Sequence, residues 1–167
     1  MSTSQALAGE LAQEAGTTRR ALERVPDGQL DWRPHEKSYT LGELASHIAN
    51  LPMWTAVMVR EDELDLGTVG GPMSAHESAL AILDAFDRNL ADALSAIRDT
   101  PEEAWMRTWS LKKDGEVLFA LPRIAALRSF VMNHSIHHRG QLSVYLRLTG
   151  VPVPQMYGPT ADEPDFG

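Results

Sequence analysis

The chain has 167 residues, enough for one domain, and a core of that size buries about two thirds of the unfolded surface without needing a metal or disulfide to fold. A formal net charge of -8 and a pI near 5.2 argue against nucleic acid or an anionic membrane as the main partner, since both require a basic footprint. Cysteine is absent, which excludes disulfides, thiolate ligands and a cysteine nucleophile; any metal must be held by His, Asp, Glu, backbone carbonyls or water.

The N-terminal stretch MSTSQALAGELAQEAG has neither a basic segment nor an apolar core segment, and no later run approaches the ~20 apolar residues that span a bilayer. The expectation is a cytoplasmic protein with no membrane anchor. Residues 4–24 place Leu7, Leu11, Ala15, Ala21 and Leu22 at helical spacing, and Pro26 ends the run. Residues 25–39 hold Pro26, Gly28 and Pro34 without a sustained period and read as a long connection, with Trp32 packing onto the body. Thr40 and Glu43 form a capping box ahead of Leu41, Leu44, Ala45, Ile48 and Leu51. Pro52 should kink this second helix, which the apolar pattern carries to about Leu64.

Residues 66–72 form a glycine-rich loop, and Ser74 with Glu77 makes a second capping box before a helix carrying Leu80, Leu83, Phe86, Leu90, Leu94 and Ile97. Thr100, Pro101, Glu102 and Glu103 repeat a start signature whose apolar run stops at Trp105, giving one or two turns. Residues 107–120 alternate weakly about Asp114-Gly115, a hairpin-turn dipeptide, and predict an extended excursion or short ribbon. Pro122 opens a last helix that runs to Thr149 and is stopped by Gly150 and Pro152; the proline-rich tail beyond is not helical.

That last helix concentrates three of the six histidines, His134, His137 and His138, within an apolar stripe of Leu127, Val131, Leu142, Tyr145 and Leu146. Residues four apart stack on one helix face, so His134 and His138 can aim at one point inside the protein, a half-site suited to zinc, nickel, copper or iron. The competing reading is a set of core histidines bonded to neighbours. Clustering weighs against it, because adjacent buried imidazoles repel when protonated, whereas a metal uses their lone pairs. His137 lies about 60° from His134 around the helix and His138 about 40° on the other side; the apolar neighbours favour His138 and leave His137 at the edge of the stripe.

Four long amphipathic helices without an internal repeat predict an all-α four-helix bundle over residues 1–167, an architecture that builds metal sites from facing helices. His47, beside the stripe of the second helix, is then the natural third ligand. Glu43, four residues before it, is a candidate to orient its ring, with capping as the competing duty. Gly140 reads either as room for another backbone near the cluster or as a tolerated defect.

The segments LDWRPHEKSYTLGELASHIANLPMW and NHSIHHRGQLSVYLRLTGVPVPQMYGPTADE closely resemble the DinB family, grouped with the YfiT-like metal-dependent hydrolases. The resemblance spans nearly the whole chain. The family pattern, a histidine on the second helix and an HxxxH pair ahead of RGQ on the fourth, falls on His47, His134 and His138. It implies an up-down-down-up bundle, frequently a homodimer, with zinc or nickel on the three histidines and an open water position. It also implies, for some relatives, transfer or isomerisation dependent on a low-molecular-weight thiol. Two functions follow as alternatives: a divalent-metal-dependent thiol transferase or hydrolase acting on a small molecule, or a metal-stabilised stress-response or interaction module without turnover. His137, Glu43 and Arg139 are candidates for outer-shell or substrate-facing roles. Arg139, Tyr157 and Asp162 are weighed against a helix-surface charge, a packing aromatic and a turn residue, and none receives a catalytic step. His35 and His76 carry no assignment. Affinity for the ion is expected to fall as pH drops through the imidazole range near 6.5.

Overall fold

The computed structural model describes residues 1–68 and 74–165. Helix α1 (Thr3–Leu22) starts on a capping box formed by Ser2 and Gln5 and buries Leu7, Leu11, Ala15 and Leu22. Helix α2 (Leu41–Asn50) starts on the expected box, with the Glu43 carboxylate accepting from the Thr40 N–H at 2.6 Å and Thr40 Oγ1 accepting from the Glu43 N–H at 3.1 Å. Pro52 has no N–H to donate into the helix, and the chain breaks there before resuming as α3 (Met53–Arg60). Helix α4 (Ala79–Asp99) is capped by Ser78, whose hydroxyl accepts from the Ala81 N–H, so the start lies four residues beyond the expected Ser74. The glycine-rich loop expected at 66–72 falls largely on residues 69–72, outside the described ones.

The expectation of an all-α bundle is corrected here. The helices are joined by a three-stranded mixed sheet ordered β1-β2-β3, made of β1 (Glu63–Asp65), β2 (Thr108–Lys113) and β3 (Glu116–Pro122). Strands β2 and β3 pair antiparallel around Asp114 (φ 52) and Gly115 (φ 85), and two successive positive φ values are what a hairpin of matching twist requires. Trp109, Leu111, Phe119 and Leu121 of this ribbon pack into the core, which makes it a wall of the body instead of an excursion. Strand β1 lies parallel to β2, with Leu64 opposite Leu111.

The second helix therefore ends at Arg60 and not near Leu64, because the next residues have better partners. The Asp65 carboxylate accepts from the N–H groups of Asp114 (2.9 Å), Gly115 (2.7 Å) and Gly67 (2.8 Å), which holds its pKa below the ordinary value. Arg123, buried at the start of α5 (Arg123–Leu127), donates to the carbonyls of Met58 and Glu61, both at 2.9 Å, and to the Asp62 carboxylate. Strand β1 is thus fixed by the hairpin turn at one end and by α5 at the other.

The last helix is not uniform. A single π-helical turn, Arg128–Met132, joins α5 to α6 (Asn133–Leu148), with the Asn133 N–H reaching back to the Arg128 carbonyl. Such turns arise where one residue is inserted into an α-helix, and they occur frequently at functional sites. Here the turn lies directly ahead of His134. Helix α1 packs on α4 and α6, α2 on the same two, and α3 on α4 and α5. Two core clusters result, one around Leu22, Leu44, Ile48 and Leu146, the other around Leu11, Met58, Trp109 and Val131. Trp32 packs against the first, edge to face with Tyr145 at 5.6 Å. Gly140 is exposed, and a Cβ there would meet nothing within 4 Å, so the close-approach reading is wrong and the tolerated defect is right.

Candidate metal centre

His47 comes from α2, on the flank of a stripe in which Leu44, Ala45 and Ile48 are buried; His134 and His138 come from successive turns of α6. All three are partly buried. Each offers a ring nitrogen, and the three atoms lie within 4.8 Å of one another. The Nε2 of His47 is 3.4 Å from the Nε2 of His134, and that of His138 is 2.8 Å from the same atom. Donor atoms about 2.0–2.1 Å from a tetrahedral ion sit ~3.4 Å apart, so these separations suit a zinc-sized cation after a small adjustment at His138.

The other ring nitrogens fix the protonation. His138 Nδ1 lies 2.6 Å from Gln141 Oε1, and His134 Nδ1 lies 3.3 Å from the Phe130 carbonyl. A carbonyl oxygen only accepts, so each Nδ1 carries the proton and each Nε2 presents a lone pair. Two lone-pair nitrogens 2.8 Å apart repel unless a cation lies between them. Protonation is a poor substitute for a metal here. Burial pushes the His47 imidazole down to about 4, and the charges that His138 and His134 would carry push the same way. Burial also lowers His134 and His138, opposed by the Phe130 carbonyl and by Gln141 respectively. Three neutral imidazoles at neutral pH are what a divalent ion requires.

A cavity of about 230 Å³ opens against His47 and His134. Leu51, Trp54 and Met58 form one wall; Trp109, Leu111 and Phe119 of the sheet form the opposite one, and Phe130 of the π turn closes the side. Phe119 and Phe130 stack at 4.4 Å. His47 and His134 are the titratable groups that line it among the described residues.

The remaining candidates lie elsewhere or beside the cluster. His137 is exposed, its ring 4.9 Å from that of His138. The Glu43 carboxylate is engaged with its cap. Arg139 is not a helix-surface charge: it is 1% exposed and donates to the Glu14 carboxylate (2.8 Å), the Glu14 carbonyl (2.9 Å) and Thr18 Oγ1 (3.1 Å) of α1. Tyr157 covers it at 5.0 Å and donates its hydroxyl to Glu14 at 2.7 Å. Asp162 accepts from Arg147 and from the Val153 N–H, pinning the tail to α6. His76 bonds to Ser46 and Asn50, and His35 Nδ1 accepts from the Lys37 N–H.

The sequence reading missed Gln141 and the Phe130 carbonyl. Gln141 stands three residues after His138, a spacing that brings helical side chains together, so its signal was present. The Phe130 contact depends on the π turn, which no local pattern announces.

The sequence model of the DinB family matches residues 1–165. The "Uncharacterized protein YrdA" of Bacillus subtilis (strain 168) is 27% identical over 153 residues, covering 90% of this chain and 85% of its own. Among solved structures, a DinB-like protein from Bacillus cereus ATCC 10987 superposes with a TM-score of 0.65 at 21% identity, covering 87% of this chain and 92% of its own. The DinB-like protein YjoA of Bacillus subtilis superposes with a TM-score of 0.69 at 19% identity, covering 89% and 95%. At these identities the two structures speak for the fold. No helix among the described residues is long and apolar enough to cross a membrane.

Proposed function

The chain belongs to the DinB family, and from that premise we propose that it is a divalent-metal-dependent enzyme of the thiol-transferase or hydrolase type, acting on a small molecule at His47, His134 and His138. The observation that carries the reading is the convergence of three ring nitrogens: the Nε2 atoms of His134 and His138 are 2.8 Å apart and that of His47 is 3.4 Å from that of His134. A zinc or nickel ion held there supplies Lewis acidity, drawing the pKa of a bound water or thiol toward neutrality. The protein's own contribution is positional: Gln141 and the Phe130 carbonyl hold the Nδ1 protons and so keep both α6 rings turned toward His47. The apolar cavity borders His47 and His134 on one side of the cluster.

Three protein ligands leave a coordination position open, which favours turnover over a closed structural site. The proposed co-substrate is a low-molecular-weight thiol and the proposed assembly a homodimer. Elemental analysis of protein purified without a metal-affinity tag should find about one divalent ion per chain. Cobalt-substituted protein should then develop thiolate charge-transfer absorption with a physiological thiol. An ion without any thiol response would shift the reading to hydrolysis or to a module without turnover; no ion at all would sink it.

A further inference from the structure

We propose that the β2–β3 hairpin sets the orientation of His134: Phe119, stacked on Phe130, fixes the Phe130 carbonyl against the His134 ring and so acts as a positioning residue for the metal site. The consequence for the ion rests on the preceding reading, whereas the orientation of the ring is a property of the metal-free chain.

The two histidines of α6 are held by different means. His138 Nδ1 lies 2.6 Å from the side-chain oxygen of Gln141, on the same helix. His134 Nδ1 lies 3.3 Å from a backbone carbonyl, that of Phe130. Ordinary N–H···O distances run from about 2.7 to 3.2 Å, so this bond is at its long limit and a further shift of a few tenths of an ångström loses it. The hold on His134 therefore depends on where the backbone of Phe130 sits.

Phe130 stands in the middle of the π turn, where the Asn133 N–H reaches five residues back to the Arg128 carbonyl instead of four. Such a turn is rarer and less favourable than a regular α turn, and it persists where the surrounding packing compensates. Val131 and Met132 supply packing toward the core, at 0% and 1% exposure. Phe130 supplies packing toward the sheet: its ring lies flat on Phe119 of β3, with centroids 4.4 Å apart and planes 7° apart. Phe119 is itself placed by the hairpin, opposite Leu111 of β2 and with the buried Trp109 at 6.1 Å. A continuous path thus runs from the sheet through the two stacked rings to the carbonyl that meets His134. A stacked aromatic pair is worth about 2–10-fold in an equilibrium constant beyond its buried area, and that limits what the path can transmit. The competing account is that the helix alone holds the carbonyl, in which case the stack stabilises the fold and leaves the imidazole where it is.

The test uses the full chain with Phe119→Leu, Phe130→Leu, the two together, and Phe119→Leu combined with Gln141→Ala. Leucine removes the flat ring while keeping an apolar side chain and the backbone carbonyl. Crystal structures of the metal-stripped wild type and Phe119→Leu locate the ring: in the variant His134 should leave the Phe130 carbonyl while His138 stays on Gln141. Chelator competition at neutral pH reads zinc affinity. Phe119→Leu and Phe130→Leu should each weaken zinc by about 2–10-fold, and the double variant should lose no more than either, because both remove the same stack. Combined with Gln141→Ala the losses should multiply, because the two holders act on different rings. A purely structural role would lower the urea midpoint and move neither the ring nor the affinity. The proposal is overturned if His134 keeps its bond to Phe130 in Phe119→Leu, if neither leucine variant weakens zinc, or if their losses multiply as independent ones do. A wild type that binds no zinc sinks the metal reading alone, because the crystal structures still decide what holds the ring.

Discussion

The two ends of the helical body are packed to different standards. Around Leu22, Leu44, Ile48 and Leu146 the core is mainly aliphatic, with Phe86 in it, and the tail closes over it through Arg24 with Glu163 and Arg147 with Asp162. Arg139 is buried beside it with its donors matched to Glu14 and Thr18. At the other end stand the cavity, the π turn and both buried side-chain atoms without a partner among the described residues, Thr55 Oγ1 and Trp109 Nε1. The histidines sit at the junction. Close packing at one end supplies stability that the other end forgoes to keep an open space against a polar cluster, which is how a site retains room for a ligand.

If this division is real, substitutions at the junction should abolish metal binding and spare the fold, while substitutions at the closed end should do the reverse. The largest effect is expected from His47→Ala, His134→Ala and His138→Ala. Each removes one of three donors, so affinity should fall by far more than the roughly 10–100-fold that losing an outer-shell partner costs. Gln141→Ala should fall within that smaller range, and His137→Ala should keep the ion. Zinc titration against a competing chelator reads all five. Loss of the ion from His137→Ala with retention in His138→Ala would overturn the assignment.

Arg139→Ala tests the closed end. It leaves Glu14, 15% exposed, without its cation, and breaking such a pair from one side costs about 3–5 kcal/mol. Urea denaturation should show this loss, with zinc affinity of the folded protein nearly unchanged. A variant that stays stable but drops the metal would erase the distinction between the two ends.

The pH dependence follows from the depressed imidazoles. Between about pH 4, the folded value for His47, and 6.5, its ordinary value, the unfolded chain holds protons that the folded metal-free chain does not. Stability therefore rises with pH across that window, is lost as pH falls from 6.5 toward 4, and is level above it for this group. Proton competition for the ion moves down by the same cause, so zinc should survive at pH 6 and leave nearer pH 4–5. Metal release centred near 6.5 would mean that the rings are well hydrated in the metal-free state. Denaturation midpoints and chelator titrations at half-unit pH intervals distinguish these outcomes.

How much of this was legible in the sequence differs by the range of the interaction. His134 and His138 were legible because four-residue spacing on one helix is a local fact, and His47 because a bundle brings two inward faces together. The capping box of Thr40 and Glu43 is equally local. The parallel β1–β2 pairing was not legible: three residues at 63–65 have no pattern of their own and find partners at 110–112. The cavity draws on α2, α3, the sheet and the π turn, so no contiguous stretch encodes it. Arg139 is an instructive miss, since it falls on one line with Leu142 and Leu146, both buried, at helical spacings of three and seven. Its charge suggested the surface; its position on the stripe pointed to the core, and the partner that reconciles the two, Glu14, is 125 residues away.

The smallest predicted effect bears on the same helix. Gly140 lies between the histidine cluster and the closed end, two residues after His138, on the exposed face of α6. A methyl group there would touch nothing within 4 Å, and the residue has an ordinary helical backbone without a positive φ. Gly140→Ala should then act only on the unfolded chain, whose backbone freedom it reduces, and raise stability by about 1 kcal/mol. Zinc affinity should not move, because neither His138 nor Gln141 depends on space at position 140. A stabilised variant with unchanged metal binding would show α6 to be a rigid rod on which the site is carried passively. If the gain in stability came with weaker zinc binding, the helix would have to bend at this glycine to bring His134 and His138 onto the ion, and the junction between the two ends would be a hinge.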